Sequence, residues 1–174
     1  REMPTVSNGS HEIHYDDHGG DGSAVVLIHG WPLSGDSWSA TVPALLDAGH
    51  HVVTYDRRGF GRSGKPGEAS SYDYDTLTSD LDALLRELDL TDVTLVGFSM
   101  GGGEVARYIG THGEDRVSAA VFAAAIPPCL KKDYEHPHGA LDDATVEGMQ
   151  GQLRADPPGF LDGFVTNFYS AGDE

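Results

Sequence analysis

The chain has 174 residues, of which 39% are hydrophobic and 22% charged, and this size and balance predict a single folded domain rather than a disordered chain. Its 28 acidic residues against 11 basic ones give a net charge of −17, which repels phosphate backbones and argues against nucleic acid as a partner. The single cysteine, Cys129, excludes an internal disulfide framework and any zinc site that needs two thiolates.

The sequence contains no apolar stretch of the ~18 residues that a membrane span needs, and its first residues lack the apolar core of a signal peptide. We therefore expect a soluble, cytoplasmic protein with no membrane partner. The acidic residues are mostly Asp, 19 of 28, and only three of the bases are Lys. This pattern suits a protein that works in high salt, where screening removes self-repulsion; the alternative is an ordinary acidic protein from a source that prefers Arg to Lys.

Short apolar runs alternate with amphipathic segments along the first 126 residues, which is typical of βαβ units. Because the runs show no polar alternation, they predict strands buried on both faces of a mainly parallel sheet, with helices on each side. The runs lie at residues 25–28, 51–55, 93–96 and 117–126. The fold class expected is therefore α/β.

Four further segments have a predicted structure. Leucines at helical spacing predict a helix over 77–88, with Asp73 and Asp75 as possible caps. A shorter helix over 42–46 is expected to end at Gly49. Residues 5–15 suggest one leading strand, and an aromatic stripe over 160–169 suggests a helix that packs against a neighbouring layer or lines a pocket.

The sharpest chemical signal is GFSMG (97–101), which follows a predicted strand and opens a predicted helix over 102–112. In that context G-x-S-x-G is typical of a nucleophile elbow, a tight turn that holds a serine in a strained backbone conformation between two glycines. A phosphate-binding loop is the alternative, but the segment lacks the Lys-Ser/Thr of a P-loop and the spacing of a dinucleotide fingerprint. We predict Ser99 as a catalytic nucleophile at a helix N-terminus, which favours developing negative charge.

The segment HGWP (29–32) follows the preceding buried strand, where acyl-transfer enzymes of this architecture supply half of an oxyanion hole. The two donors would be the backbone N–H groups of Trp31 and Met100. For the side chains a structural role is the simpler interpretation: the Trp31 ring packs, and His29 is a buried histidine that holds the loop.

Four motifs occur in a characteristic order: HGWPLSGDSW (29–38), YDRRGFGRS (55–63), GFSMGGGEVARYIG (97–110) and AAAIPP (123–128). Together they resemble the α/β-hydrolase superfamily, and more closely its bacterial cofactor-free haloperoxidase and arylesterase group, the metal-free chloroperoxidases. The resemblance covers nearly all of residues 1–128. It implies the α/β-hydrolase fold and assigns Ser99 as nucleophile and the N–H groups of Trp31 and Met100 as oxyanion donors.

The resemblance also implies an activity, namely hydrolysis of small carboxylic esters through an acyl-enzyme. In a perhydrolase side reaction hydrogen peroxide captures the acyl group, and the peracid oxidises halide outside the protein, so that no cofactor, haem or metal is needed. Asp56 and the arginines at 57, 58 and 62 would hold loops together rather than touch substrate. A serine in the elbow argues against haloalkane dehalogenases and epoxide hydrolases, which use aspartate there.

The chain departs from the family pattern after the run 117–126, which resembles the sixth strand. Members carry the catalytic Asp and His after later strands, and those strands have no counterpart here. We expect the N-terminal part of the hydrolase core at 1–128 and the start of a helical cap at 129–174. A complementary C-terminal segment, from a second polypeptide or a continuation of this one, would cover the uncharged edge 117–126 and restore activity.

Three histidines follow Ser99. His112 ends the elbow helix and is poorly placed as a base. His136 and His138 lie near Cys129, but an ordinary surface loop explains them, and we predict no metal site. Two alternative functions stay open: a non-catalytic binding module derived from the fold, or another reaction of the fold, such as carbon–carbon bond hydrolysis or cofactor-free oxygenation.

Overall fold

The computed structural model describes residues 4–126 and 129–169. The chain divides into two compact units, residues 1–126 and 127–174. The strands are β1 (Thr5–Asn8), β2 (His11–Asp17), β3 (Ala24–Ile28), β4 (His51–Tyr55), β5 (Val93–Phe98) and β6 (Val117–Ala123). The helices are α1 (Val42–Asp47), α2 (Tyr74–Glu87), α3 (Met100–His112), α4 (Asp143–Ala155) and α5 (Pro157–Phe168).

The strands of the first unit form one sheet in the order β1-β2-β4-β3-β5-β6. Strand β3 pairs in parallel with β4 and with β5, and β5 pairs in parallel with β6. The β1–β2 and β2–β4 pairs are antiparallel. The predicted α/β class with a mainly parallel sheet is confirmed.

The central strand β3 shows why the sheet has helices on both faces. All five of its residues are buried, and successive side chains of a strand point to opposite faces. Val26 and Ile28 belong to the core that contains three leucines of α2 and Val105 of α3. Val25 and Leu27 instead share a second core with Val42 of α1. The uninterrupted apolar run is therefore explained by burial on two sides.

Helix α2 follows the predicted leucine pattern. Its buried face carries Leu77, Leu81, Leu84 and Leu85. The Asp73 carboxylate caps the N-terminus by accepting a hydrogen bond from the Thr76 N–H at 2.7 Å, which satisfies one of the donors that every helix N-terminus leaves unpaired.

The N-terminal prediction of one leading strand is wrong, because residues 5–17 form the hairpin β1–β2. Two residues separate the strands, and the first of them, Gly9, has a φ of +65°. Glycine adopts a positive φ readily, and a two-residue hairpin turn needs a positive φ at its first position.

The last strand of the sheet is shorter than predicted. Strand β6 ends at Ala123, because Ala124 turns to a φ of +43° and the Ile126 N–H donates to the Ser99 carbonyl at 3.2 Å. In the sheet of the described residues β6 is an edge strand. Val121 and Phe122 there are 44% and 52% exposed, so the strand is not buried on both faces as the apolar run suggests.

The second unit contains α4 and α5. Asp142 caps α4 and Asp156 caps α5, each accepting a hydrogen bond from a backbone N–H three residues later. The predicted aromatic stripe lies on α5, where the rings of Phe160, Phe164 and Phe168 stack at centroid distances of 6.4 and 6.0 Å. Helix α4 was not predicted. Within 4–126 and 129–169, no helix has the length and apolarity to cross a membrane.

Candidate active site

Ser99 occupies the turn between β5 and α3, where the strand ends at Phe98 and the helix begins at Met100. Its backbone has a φ of +53° and a ψ of −117°. Holding a residue other than glycine in such a backbone conformation costs about 1–3 kcal/mol of conformational energy, and residues strained in this way cluster at functional sites. The structure therefore places the predicted nucleophile in a strained turn at the N-terminus of a helix.

The two flanking glycines are required by close backbone contacts. A Cβ added to Gly97 would collide with the carbonyl of Gly101, and one added to Gly101 would collide with the carbonyl of Ile28 at the end of β3. Helix α3 thus begins directly against the end of the central strand, and no larger residue fits at either position.

Backbone hydrogen bonds hold Ser99 in this turn. Its N–H donates to the Ala123 carbonyl at 3.1 Å, and its own carbonyl accepts from Gly102 at 3.0 Å and from Ile126 at 3.2 Å. The serine is therefore tied to its own helix, to the end of β6 and to the residues after β6, which compensates for the strained φ.

The loop after β3 lies beside the nucleophile. A Cβ built on Gly30 would stand 3.1 Å from the Ser99 Cβ and 3.1 Å from the Phe98 ring. The next residue, Trp31, precedes a cis peptide bond to Pro32. The structure thus brings the loop that carries Trp31 close to Ser99, and the assignment of the Trp31 and Met100 N–H groups as oxyanion donors stays a prediction.

His29 is a buried structural histidine. The Arg57 N–H donates to its Nε2 at 2.9 Å, so the hydrogen is on Nδ1, which lies 2.8 Å from the Gly30 carbonyl and donates to it. Burial, and then the Arg57 charge, lower the pKa of His29 to about 4. A neutral imidazole with both nitrogens in use holds the loop and cannot act as a general base for Ser99.

A buried polar network connects this loop to α3. Glu104 of α3 accepts hydrogen bonds from the Tyr55 hydroxyl and from Arg57 Nε, the latter at 2.8 Å. Arg57 Nη2 donates to the His29 carbonyl at 2.7 Å. Sequence analysis missed Glu104; its one signal is a charged residue on the face of α3 that carries the buried Val105 and Tyr108.

The remaining charged residues of the 55–63 segment join loops to one another. Asp56 is fully buried and accepts hydrogen bonds from the N–H groups of Gly35 and Arg62, each at 2.8 Å, and from Arg62 Nε at 3.0 Å. Arg58 forms a bidentate pair with Asp80 of α2, at 2.8 and 2.6 Å. These contacts agree with the structural role expected for the segment.

His112 lies at the opposite end of α3 from Ser99. A helix of 13 residues is about 20 Å long. There the His112 ring stacks on Tyr108 at 5.0 Å, and its Nδ1 is 3.9 Å from the Asp82 carboxylate. The structure therefore does not bring His112 to the serine.

Three side chains of the second unit lie close enough to share a cation. The ligand atoms of Cys129, Asp133 and His136 are within 4.8 Å of one another. Asp133 already accepts hydrogen bonds from the backbone N–H and the Nδ1 of His136, and the Cys129 thiol donates to the Lys131 carbonyl. Contacts within the loop account for the arrangement, and the expectation of no metal site stays a prediction.

Comparison with known proteins gives the site its family context. The sequence of residues 23–171 matches the α/β-hydrolase fold family. A putative non-haem chloroperoxidase of Synechocystis is 46% identical over 173 residues, which are 97% of this chain and 61% of that protein. The crystal structure of a bromoperoxidase from Bacillus anthracis has a TM-score of 0.87 and 57% identity, over 94% of this chain and 59% of the other. A bifunctional esterase/perhydrolase of Acinetobacter calcoaceticus is 38% identical over 82% of this chain and 51% of that protein.

The chain therefore spans about 60% of the length of the first two of these relatives. Sheet order, the strained serine between two obligatory glycines and a family match over residues 23–171 all lead to the same assignment. This chain belongs to the α/β-hydrolase fold family, and it is similar to the non-haem haloperoxidases and esterases within it.

Proposed function

We propose that this chain supplies the nucleophile and the oxyanion donors of a serine hydrolase for small carboxylic esters. The observation that carries the proposal is the conformation of Ser99, which has a φ of +53° in a turn that admits only glycine at positions 97 and 101. A strained, glycine-flanked serine at a helix N-terminus suits a nucleophile whose hydroxyl must be presented outside the backbone. The relatives named as esterase and perhydrolase support this chemistry.

In the proposed reaction the Ser99 Oγ attacks the ester carbonyl carbon while a general base takes its proton. The tetrahedral oxyanion accepts hydrogen bonds from the N–H groups of Trp31 and Met100. Its collapse breaks the carbon–oxygen bond, and the alcohol leaves with the proton held by the base. Water then adds to the acyl-enzyme, releases the carboxylic acid and restores the serine.

Hydrogen peroxide can replace water in the second half of this reaction. The product is then a peracid, and Ser99 is restored in the same way. In solution the peracid transfers one oxygen atom to a halide ion, which is oxidised to hypohalous acid with uptake of one proton, while the peracid is reduced to the carboxylic acid. The names of the chloroperoxidase and bromoperoxidase relatives agree with this side reaction.

The general base and its acid partner are proposed to come from a complementary C-terminal segment. His29 is neutral with both nitrogens occupied, and His112 lies about 20 Å from Ser99. In this proposal residues 1–128 are the N-terminal part of the hydrolase core and 129–174 the start of its cap. The segment would add strands to the exposed edge of β6, where Val121 and Phe122 are available for packing.

The test is hydrolysis of p-nitrophenyl acetate by the assembled enzyme, meaning this chain combined with the part of the Bacillus anthracis bromoperoxidase that it does not cover. We expect turnover by the assembled enzyme and none by residues 1–174 alone. Ser99→Ala should reduce kcat by about 10³-fold or more, whereas Ser70→Ala, at an exposed serine in a 3-10 turn, should not change it.

Two results would refute the proposal. One is retention of more than about a tenth of the activity in Ser99→Ala, since catalysis without the nucleophile falls by several orders of magnitude. The other is a correctly folded assembly with no turnover and no labelling of Ser99 by a fluorophosphonate, which would favour a non-catalytic binding module.

A further inference from the structure

The two proposed oxyanion donors lie on different segments of the chain, and their relative position needs a physical cause. Trp31 is in the loop after β3, whereas Met100 begins α3. An oxyanion hole works only when both N–H groups point at the same oxygen from hydrogen-bond distance, and donor geometry off by an ångström weakens it severely. A rigid connection between loop and helix would satisfy this requirement.

The buried guanidinium of Arg57 makes that connection. One arm, Nη2, donates to the carbonyl of His29, two residues before Trp31. Nε donates to Glu104, one helical turn after Met100, and Nη1 lies 3.8 Å from the Met100 sulfur. The guanidinium is planar and rigid, so three contacts made by one group fix the positions of the segments that it joins.

We infer that Arg57 and Glu104 are positioning residues for the oxyanion hole, holding the Trp31 and Met100 N–H groups at a fixed separation. The inference rests on the proposed function, because it concerns the same site. Arg57 reaches the loop a second time through its own backbone N–H, which donates to the buried His29 ring. Displacement of Arg57 would therefore release the loop at two points.

The charges of this network favour a single arrangement. Burial opposes the charge on Arg57, but the adjacent Glu104 carboxylate more than compensates, so the pKa of Arg57 is raised. Burial, and then the same carboxylate, hold the pKa of Tyr55 well above its ordinary value, and the tyrosine therefore remains a donor to Glu104. Breaking a buried pair of this kind leaves an uncompensated charge, which is strongly destabilising. This cost keeps each member of the pair in place.

The chain contains a matched control, the buried pair of Arg58 and Asp80. It is also an arginine–carboxylate pair with both side chains at most 7% exposed, and it also joins the 55–63 segment to a helix. Its partner is α2, however, and Asp80 also accepts a hydrogen bond from Asn8 of β1, so these hydrogen bonds join the segment to α2 and β1 rather than to the loop after β3 or to α3. A purely stabilising role predicts similar behaviour for both pairs, whereas a positioning role predicts different behaviour.

The experiment compares Glu104→Gln with Asp80→Asn, each of which removes one buried negative charge with little change of shape. In the assembled enzyme we expect Glu104→Gln to lower kcat for p-nitrophenyl acetate by about tenfold or more, the scale of a weakened oxyanion donor, with little change in KM. Asp80→Asn should destabilise the fold and leave both constants near their wild-type values. Tyr55→Phe removes one hydrogen bond to Glu104 but keeps the pair of Arg57 and Glu104, and it should lower kcat by a smaller factor. This variant replaces Glu104→Gln in the test if Glu104→Gln does not fold.

Hydrogen–deuterium exchange of the amides at 29–33 in this chain gives a readout that needs no activity. We expect exchange there to accelerate in Glu104→Gln but not in Asp80→Asn beyond the general effect of lost stability. Unchanged exchange at 29–33, or equal losses of kcat in both variants, would overturn the inference. A correctly folded wild-type assembly with no turnover and no labelling of Ser99 would refute the proposed function, and the exchange experiment would still decide whether Glu104 positions the loop.

Discussion

Replacement of Ser99 by glycine should make the protein more stable than replacement by alanine, although both remove the nucleophile. The reason is the backbone of residue 99, with a φ of +53° and a ψ of −117°. Alanine keeps the Cβ that makes this conformation unfavourable, whereas glycine adopts it without steric cost.

The magnitude follows from two opposing contributions. Relief of a strained φ and ψ is worth about 1–3 kcal/mol, and the greater freedom of glycine in the unfolded chain costs about 0.5–1 kcal/mol. The net difference in the free energy of unfolding is therefore about 1 kcal/mol in favour of Ser99→Gly. For a chain of this size it corresponds to a shift in Tm of roughly 2–4 °C.

The assay is thermal and urea-induced unfolding of both variants, with the same pair of substitutions at Ser70 as control. Ser70 is exposed, lies in a 3-10 turn and does not have a positive φ, so glycine there should be less stable than alanine. If Ser99→Gly is also less stable than Ser99→Ala, the turn is not strained, and the argument from backbone conformation to a nucleophile fails.

Three further predictions concern stability. With a net charge of −17, Tm should rise by several degrees between low salt and molar KCl if the surface is adapted to salt, and a flat or falling response would indicate an ordinary acidic protein. The folded-state pKa of His29 is about 4 against an ordinary 6.5, so the contribution of the neutral imidazole to the free energy of unfolding is complete above pH 6.5. It is lost as the pH falls towards 4, by about 3 kcal/mol in total. Urea unfolding at both pH values should show a smaller loss of stability in His29→Asn than in the wild type. Asp80→Asn should lower the free energy of unfolding by about 3 kcal/mol by leaving Arg58 charged and buried, and a loss below about 1 kcal/mol in urea would show that the pair is solvated.

The features that could be predicted from sequence are those whose physics is local. The elbow depends on a serine and two glycines within five residues, and α2 depends on leucine spacing and on a cap three residues from its partner. The buried β3 could be predicted because its uninterrupted apolar run ends at the turn-forming segment HGWP (29–32). In each case the residues that determine the structure are neighbours along the chain.

The features that were missed depend on residues far apart in sequence or on single turn positions. Glu104 is 47 residues from Arg57 and 49 from Tyr55, so only the packed sheet shows that they meet. The apolar run to Ile126 predicts a longer β6 than the structure has, because the strand ends where Ala124 turns to a positive φ. The sequence pattern predicts one strand where the structure has a hairpin, because the turn depends on the backbone conformation of the single residue Gly9.

The exposed edge of β6 should restrict the ionic strengths at which the isolated chain is both monomeric and stable. An uncharged edge strand with Val121 and Phe122 exposed is a template for pairing between molecules. At low ionic strength the mutual repulsion of strongly acidic chains opposes such encounters. Salt that relieves repulsion inside each molecule removes this colloidal barrier as well. Monodispersity and thermal stability should therefore have different optima in ionic strength, and a second chain or segment that occupies the edge would bring them together.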